Sequence, residues 1–207
     1  MTYTDTNLIN PDILSKGYTY SEYRDLLEEL LTRQKTTGEN HSEEMLHYSR
    51  MNLLRMDRLD KYAKLDPALE NRLENLDRQL FWLVLTEGWC GDAAQNLPII
   101  NKMADTTPNI EMKLILRDEN LDLMDQFLTD GSSRSIPKLI CIDVHTNEIL
   151  GTWGPRPGTV QEMAMDYRSM SELSSKEAAE NLHKWYADDR NREIQKEFLA
   201  LLEKWDD

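Results

Sequence analysis

Five consecutive apolar residues, Phe81-Trp82-Leu83-Val84-Leu85, run into Thr86-Glu87-Gly88-Trp89-Cys90-Gly91 and then into a helical pattern from Asp92 to about Ala104. A short apolar run with no alternation is the signature of a strand covered on both faces. A strand buried on both faces needs a packed layer on each side of it. The strand-turn-helix order also places Cys90 at a sheet edge, directly before a helix. Pro98 lies inside that helix and predicts a kink.

The rest of the chain supplies the layers. Thr19 to about Lys35 carries Tyr23, Leu26, Leu27, Leu30 and Leu31 on one helical stripe, and Thr37-Gly38 breaks it. A second helix is expected from about Ser42 to Ala63, burying Met45, Leu46, Leu53, Met56, Leu59 and Tyr62. Asp66-Pro67 signals a third helix, expected to reach about Arg78. After the central helix come a strand over 110–116 and a short helix capped by Asp118 that ends at Asp130-Gly131. A strand over 137–144 and another over 148–153 then form a hairpin through His145-Thr146-Asn147. Gly154-Pro155-Arg156-Pro157-Gly158 is a rigid loop, suited equally to a plain turn and to the wall of a groove. Beyond it, a capping box at Ser174–Glu177 opens a long last helix with Leu182, Trp185, Ile194, Phe198, Leu201 and Trp205 on its apolar side. Glu43-Glu44 and Asp206-Asp207 read as solvated surface. The order β-α-β-α-β-β implies an α/β fold with a mixed sheet of about four strands, parallel early and antiparallel late. The division expected is 1–65 as an N-terminal helical extension, 66–158 as the core and 159–207 as helices packed on it.

Composition narrows the partners. With 38 acidic and 24 basic residues the net charge is −14, which repels phosphate backbones and anionic lipid. Nucleic acid and membranes are therefore not expected as partners. No apolar run approaches the ~20 residues of a membrane span. Met1 to Lys16 lacks a basic start followed by an apolar stretch, so a secretory signal is not expected and the expected location is cytoplasmic. Of the two cysteines, a reducing compartment leaves each as core filler or reactive thiol rather than a disulfide. His41, His47, His145 and His183 show no metal-ligand spacing with each other or with the cysteines, so no metal site is expected.

The chemistry concentrates at Trp89-Cys90-Gly91-Asp92-Ala93. A cysteine just before a helix meets unpaired backbone N–H groups and the positive end of the helix dipole, and both favour the nucleophilic thiolate. Gly91 leaves room for a substrate sulfur. With this motif, Pro98 in the following helix and Ser135-Ile136-Pro137 opening a later strand, the chain resembles the thioredoxin superfamily from about Asp66 to Gly158. It looks most like a bacterial branch with the same Cys-Gly-Asp-Ala run. The resemblance implies a thioredoxin-like fold with added terminal helices, a further strand ahead of the motif strand, and a cis-proline, Pro137, beside Cys90. No such first strand is legible here, where 19–78 reads as helix. Two departures matter: Ala93 replaces the resolving cysteine, and Val84 stands where the family buries an acid. The dithiol cycle cannot run between Cys90 and Ala93, so redox turnover needs an outside thiol. Cys141 lies about 13 Å along the strand from Pro137 at ~3.3 Å per residue, and reads as a core residue rather than a resolving thiol.

Around Cys90 the expected groove comprises Trp89, Gly91, Asp92, Ile136 and Pro137. Glu87 and Asp92 raise the cysteine's pKa while the helix end lowers it. Arg117, Arg134, Lys138 and Arg156 fall at the same sheet edge, where α/β proteins bind ligands. They suit either solvated loops or a basic rim holding an anionic low-molecular-weight thiol such as glutathione. Two functions fit: thiol–disulfide exchange or thiol-adduct chemistry at Cys90 with a protein or small-molecule partner, as a monothiol oxidoreductase, or a non-catalytic module gripping a protein or peptide beside Cys90 and Pro137. Oligomeric state stays open.

Overall fold

The computed structural model describes residues 11–170 and 173–207, so Met1–Asn10 and the Ser171-Glu172 pair lie outside the described residues. The leader reading of the first residues falls mostly there. Four helices precede the sheet: α1 (Pro11–Lys16), α2 (Tyr20–Thr32), α3 (Glu43–Tyr62) and α4 (Pro67–Glu74). Thr19 opens α2 with a full capping box, and Asp66 caps α4 ahead of Pro67. Helix α4 stops at Glu74 rather than near Arg78. Tyr62 is exposed, at 66%, because α3 turns that side of its last turn to solvent.

The central sheet holds β1 (Leu80–Thr86), β2 (Ile110–Leu116), β3 (Lys138–Asp143) and β4 (Ile149–Trp153), in the order β2-β1-β3-β4. β1 runs parallel to β2 and antiparallel to β3, and β3 pairs antiparallel with β4. Helix α5 (Gly91–Asp105) follows β1 and carries Pro98 inside it. Every residue of β1 is buried, as its unbroken apolar run requires. This is a mixed α/β sheet flanked by helices, thioredoxin-like, with helices added at both ends. In place of a further edge strand, the described residues show one antiparallel bridge beside β2: Tyr18 and Leu114 exchange two backbone hydrogen bonds of 2.8 Å. The short helix expected after Asp118 is a 3-10 turn (Arg117–Glu119) and α6 (Leu121–Met124), followed by turns with positive φ at Asp130 and Gly131.

Beyond β4 lie α7 (Gly158–Ser169), α8 (Ser175–Asp189) and α9 (Arg192–Trp205). The single long last helix of the sequence reading is thus broken. Arg190 and Asn191 both take left-handed conformations, reversing the chain between α8 and α9. The two helices consequently serve different surfaces. On α9, Phe198 and Trp205 pack against Trp82 of β1 with ring centroids 5.4 and 6.3 Å apart, and Phe198 also meets Trp153. Gly151 makes this approach possible, since a Cβ there would stand 2.6 Å from Trp205 Nε1. Asp206 is not solvated tail: it pairs with Arg72 at 2.7 Å and accepts the backbone N–H of Arg78 at 2.7 Å. It ties the chain end to the loop leading into β1.

Candidate functional site

After β1 the chain turns through Glu87, Gly88 and Trp89, and Cys90 caps α5. The turn closes on a hydrogen bond from the Cys90 backbone N–H to the Glu87 carbonyl, 3.1 Å. The N-terminal region pins it from outside: Gly88 N–H donates to Thr37 Oγ1 (2.9 Å), and Asn52 Nδ2 donates to the Gly88 carbonyl (3.0 Å). Cys90 Sγ accepts the Ala93 N–H at 3.4 Å and donates to the Ile136 carbonyl at 3.2 Å. Ile136 precedes Pro137 through a cis peptide bond. The other cysteine, Cys141, is fully buried in β3 opposite Trp82, and both cysteines are free.

A sulfur that donates is protonated, and the electrostatics agree. Cys90 is 8% exposed. Burial first, and the Asp92 carboxylate second, push its pKa up to about 12; the backbone N–H groups of Ala93 and Asp92 and the Arg156 guanidinium oppose this and lose. The helix end, expected to favour the thiolate, is outweighed. The resting group is a shielded thiol, because desolvation outweighs the helix end.

The basic residues divide differently from the sequence reading. A cleft of about 440 Å³ is lined by Trp89, Cys90, Gly91, Asp92, Ile136 and by Arg117, Arg134 and Arg156. Each arginine already holds an acid. Arg156 grips Asp92 through two nitrogens, with Nε at 3.0 Å, and also reaches Gln161. Arg117 lies over the Trp89 ring at 5.0 Å and pairs with Asp118 at 2.6 Å, while Arg134 pairs with Asp125 at 2.6 Å. Lys138 is not at the rim. It is buried, its Nζ faces the Gly154 carbonyl at 3.5 Å, and burial lowers its pKa. Glu87 is not a rim group either. It is wholly buried, and one carboxyl oxygen accepts the Asp118 N–H at 2.8 Å. Burial raises its pKa.

The Gly154–Gly158 loop has a demanding geometry. Gly154 sits at φ +112, where a Cβ would stand 2.1 Å from the Pro137 carbonyl oxygen, so only glycine fits. The loop lies against the chain at Pro137 and delivers Arg156 to Asp92.

Several residues at the site carried no signal in the sequence. Tyr186 of α8 donates its hydroxyl to Asp92 at 3.0 Å and accepts from Asn96 at 3.1 Å. His183, one turn earlier, sets its ring against Gly91: a Cβ on that glycine would stand 3.0 Å from His183 Cε1. The space expected for a substrate sulfur on that side of Gly91 is therefore occupied by an imidazole. Both residues lie about ninety positions from the motif, and only the fold brings them there. Among the described residues, no group of three or more His, Cys, Asp or Glu side chains could hold a metal ion, and no helix is long and apolar enough to cross a membrane.

A protein family described as Thioredoxin matches residues 38–171, most of the chain. No curated protein matches. Among solved structures, the chain is similar to a protein of unknown function from Pseudomonas aeruginosa, with 22% identity and a TM-score of 0.55 over 90% of this chain and 98% of that one. It is also similar to an HIV epitope scaffold, with 20% identity and a TM-score of 0.53 over the same shares. These two likenesses concern the fold alone.

Proposed function

The chain belongs to the thioredoxin family, and on that premise we propose that it carries out monothiol thiol–disulfide exchange at Cys90, with the resolving thiol supplied from outside the chain. The observation that carries this reading is the position of the Cys90 sulfur: it lines an open cleft, at a helix N-cap and hydrogen-bonded to the Ile136 carbonyl beside the cis bond. In the reaction, the Cys90 sulfur, having lost its proton, attacks one sulfur of a disulfide. The old S–S bond breaks, a thiolate leaves and takes up a proton, and Cys90 remains in a mixed disulfide. An external thiolate then attacks the substrate-side sulfur, forms a new disulfide and returns Cys90 to its thiol. Ala93 offers no internal alternative, and Cys141 is sealed in β3. Low-molecular-weight thiols such as glutathione are suitable second thiols.

The test is reduction of a small dialkyl disulfide with glutathione as the only reductant. The rate is expected to rise with glutathione concentration and to fall to background in Cys90→Ser. Equal rates in the two proteins would refute the exchange reading. A second reading, a non-catalytic peptide-binding module, is favoured by the burial of the sulfur and its raised pKa. On that reading Cys90→Ser captures the same partners from cells as the native protein.

A further inference from the structure

A second cleft, of about 270 Å³, opens on the other side of Gly91 between α3 and α8, and shares Trp89, Gly91, Asp92 and Arg156 with the cysteine cleft. Its electrostatics are the reverse of the first. The three arginines at the cysteine cleft are each neutralised by a carboxylate, whereas Arg55, on α3, has none within pairing distance among the described residues. Its NH1 donates to the neutral Asn52 Oδ1 at 2.7 Å, and the burial that lowers its pKa is not offset by any acid. That is one of a guanidinium's five N–H donors. In a chain with 38 acids to 24 bases, a half-buried arginine left without an acid is an unfilled electrostatic demand.

The second donor comes from α8. Burial, with Arg55 adding to it, pushes the His183 pKa down to about 4, so the imidazole is neutral at pH 7. Gln95 Nε2 lies 3.4 Å from His183 Nδ1, and as placed its amide donates to that nitrogen. In the tautomer whose Nδ1 accepts that amide, Nε2 carries the proton, and it lies 3.3 Å from where a Cβ on Gly91 would stand. Arg55 NH1 is 3.9 Å from the same point. The Arg55 guanidinium and the His183 imidazole thus line the same cleft beside Gly91. The only nearby acid lining the cleft, Asp92, is committed to Arg156 and Tyr186.

We infer that the cleft between α3 and α8 is a subsite for a small carboxylate, held by the Arg55 guanidinium and the His183 Nε2–H. One free positive charge matches a monoanion, and a planar guanidinium matches a planar carboxylate. A dianion would leave excess negative charge beside Asp92. Because the subsite adjoins Cys90, it selects thiols and disulfides that carry a carboxylate. That consequence rests on the exchange reading above; the binding itself does not.

The test uses Cys90→Ser protein, which separates binding from thiol chemistry. N-acetylglycinate is titrated against its uncharged counterpart, N-acetylglycinamide, while NMR follows the Gly91 amide and the His183 ring. The expected result is a saturable, millimolar shift with the carboxylate and at least about tenfold weaker binding of the amide. Arg55→Gln removes the shift, and Arg58→Gln, on the exposed side of the same helix, leaves it intact. Equal binding of the two probes, absence of a saturable shift, or survival of the shift in Arg55→Gln each overturn the inference. Carboxylate binding in a protein whose Cys90 forms no mixed disulfide would uphold this subsite and refute the exchange reading instead.

Discussion

At Cys90 a helix end and a buried environment act on the same sulfur in opposite directions, and burial wins. The thiol therefore stays protonated from the free-cysteine range near ~8.5 up to about 12. Alkylation of the native protein is expected to keep accelerating across that range, where a free thiol levels off. Asp92 is the largest charge raising the pKa, and its partner Arg156 is the cation opposing it. Asp92→Asn removes the first and frees the second, so alkylation at pH 8 should rise by about tenfold. Tyr186→Phe loosens the same contact without changing its charge, and should change the rate far less. Glu87 gives a separate pH signature. Its pKa is raised in the fold, so the stability linked to it is full below the unfolded carboxylate range and is lost as pH rises through the folded value. Glu87→Gln should consequently be more stable than the native protein above that value, with the gap closing in acid, as read by denaturant midpoints.

Elements far apart in sequence assemble the site. α3 clamps the turn before Cys90 through Asn52, and α8 lays His183 and Tyr186 over the start of α5. The folded His183 pKa is depressed to about 4, so its contribution to stability is present above the unfolded value near ~6.5 and drains away as pH falls from there to about 4. His183→Gln should flatten the loss of stability over that window, measured by urea midpoints at successive pH values. At β4, Gly151→Ala forces Trp205 away from the strand and is expected to cost about 1–3 kcal/mol. The strands, the motif helix and two flanking helix starts were legible in the sequence because local patterns determine them: an unbroken apolar run, a Pro-Gly loop, caps at Asp66 and Ser174. The break at Arg190-Asn191 was not, because neither residue is a glycine, the usual marker of a left-handed turn. The basic edge was legible as composition, but the pairing of each arginine with Asp92, Asp118 or Asp125 is a tertiary fact. The roles of His183, Tyr186 and Arg55 likewise depend on helices whose docking no local pattern encodes.

Across the whole molecule, sealing the sheet and carrying the site fall to different helices. Trp82 is sealed by Phe198 and Trp205 of α9, and Asp206 locks that helix end to Arg72 and to the backbone before β1. Phe198→Ala should cost about 3–5 kcal/mol, because the ring is wholly buried among aromatic partners. The N-terminus of α5 instead carries Cys90, which lines a cleft and, on the exchange reading, works without a partner cysteine at Ala93. The most direct test of that account is the intact mass of the reduced protein after exposure to a small symmetrical disulfide and removal of the excess. One adduct on Cys90, stable until an external thiol is added and absent in Cys90→Ser, is the predicted result. A protein that takes up no adduct, or that sheds it by closing a disulfide between Cys90 and Cys141, would contradict it.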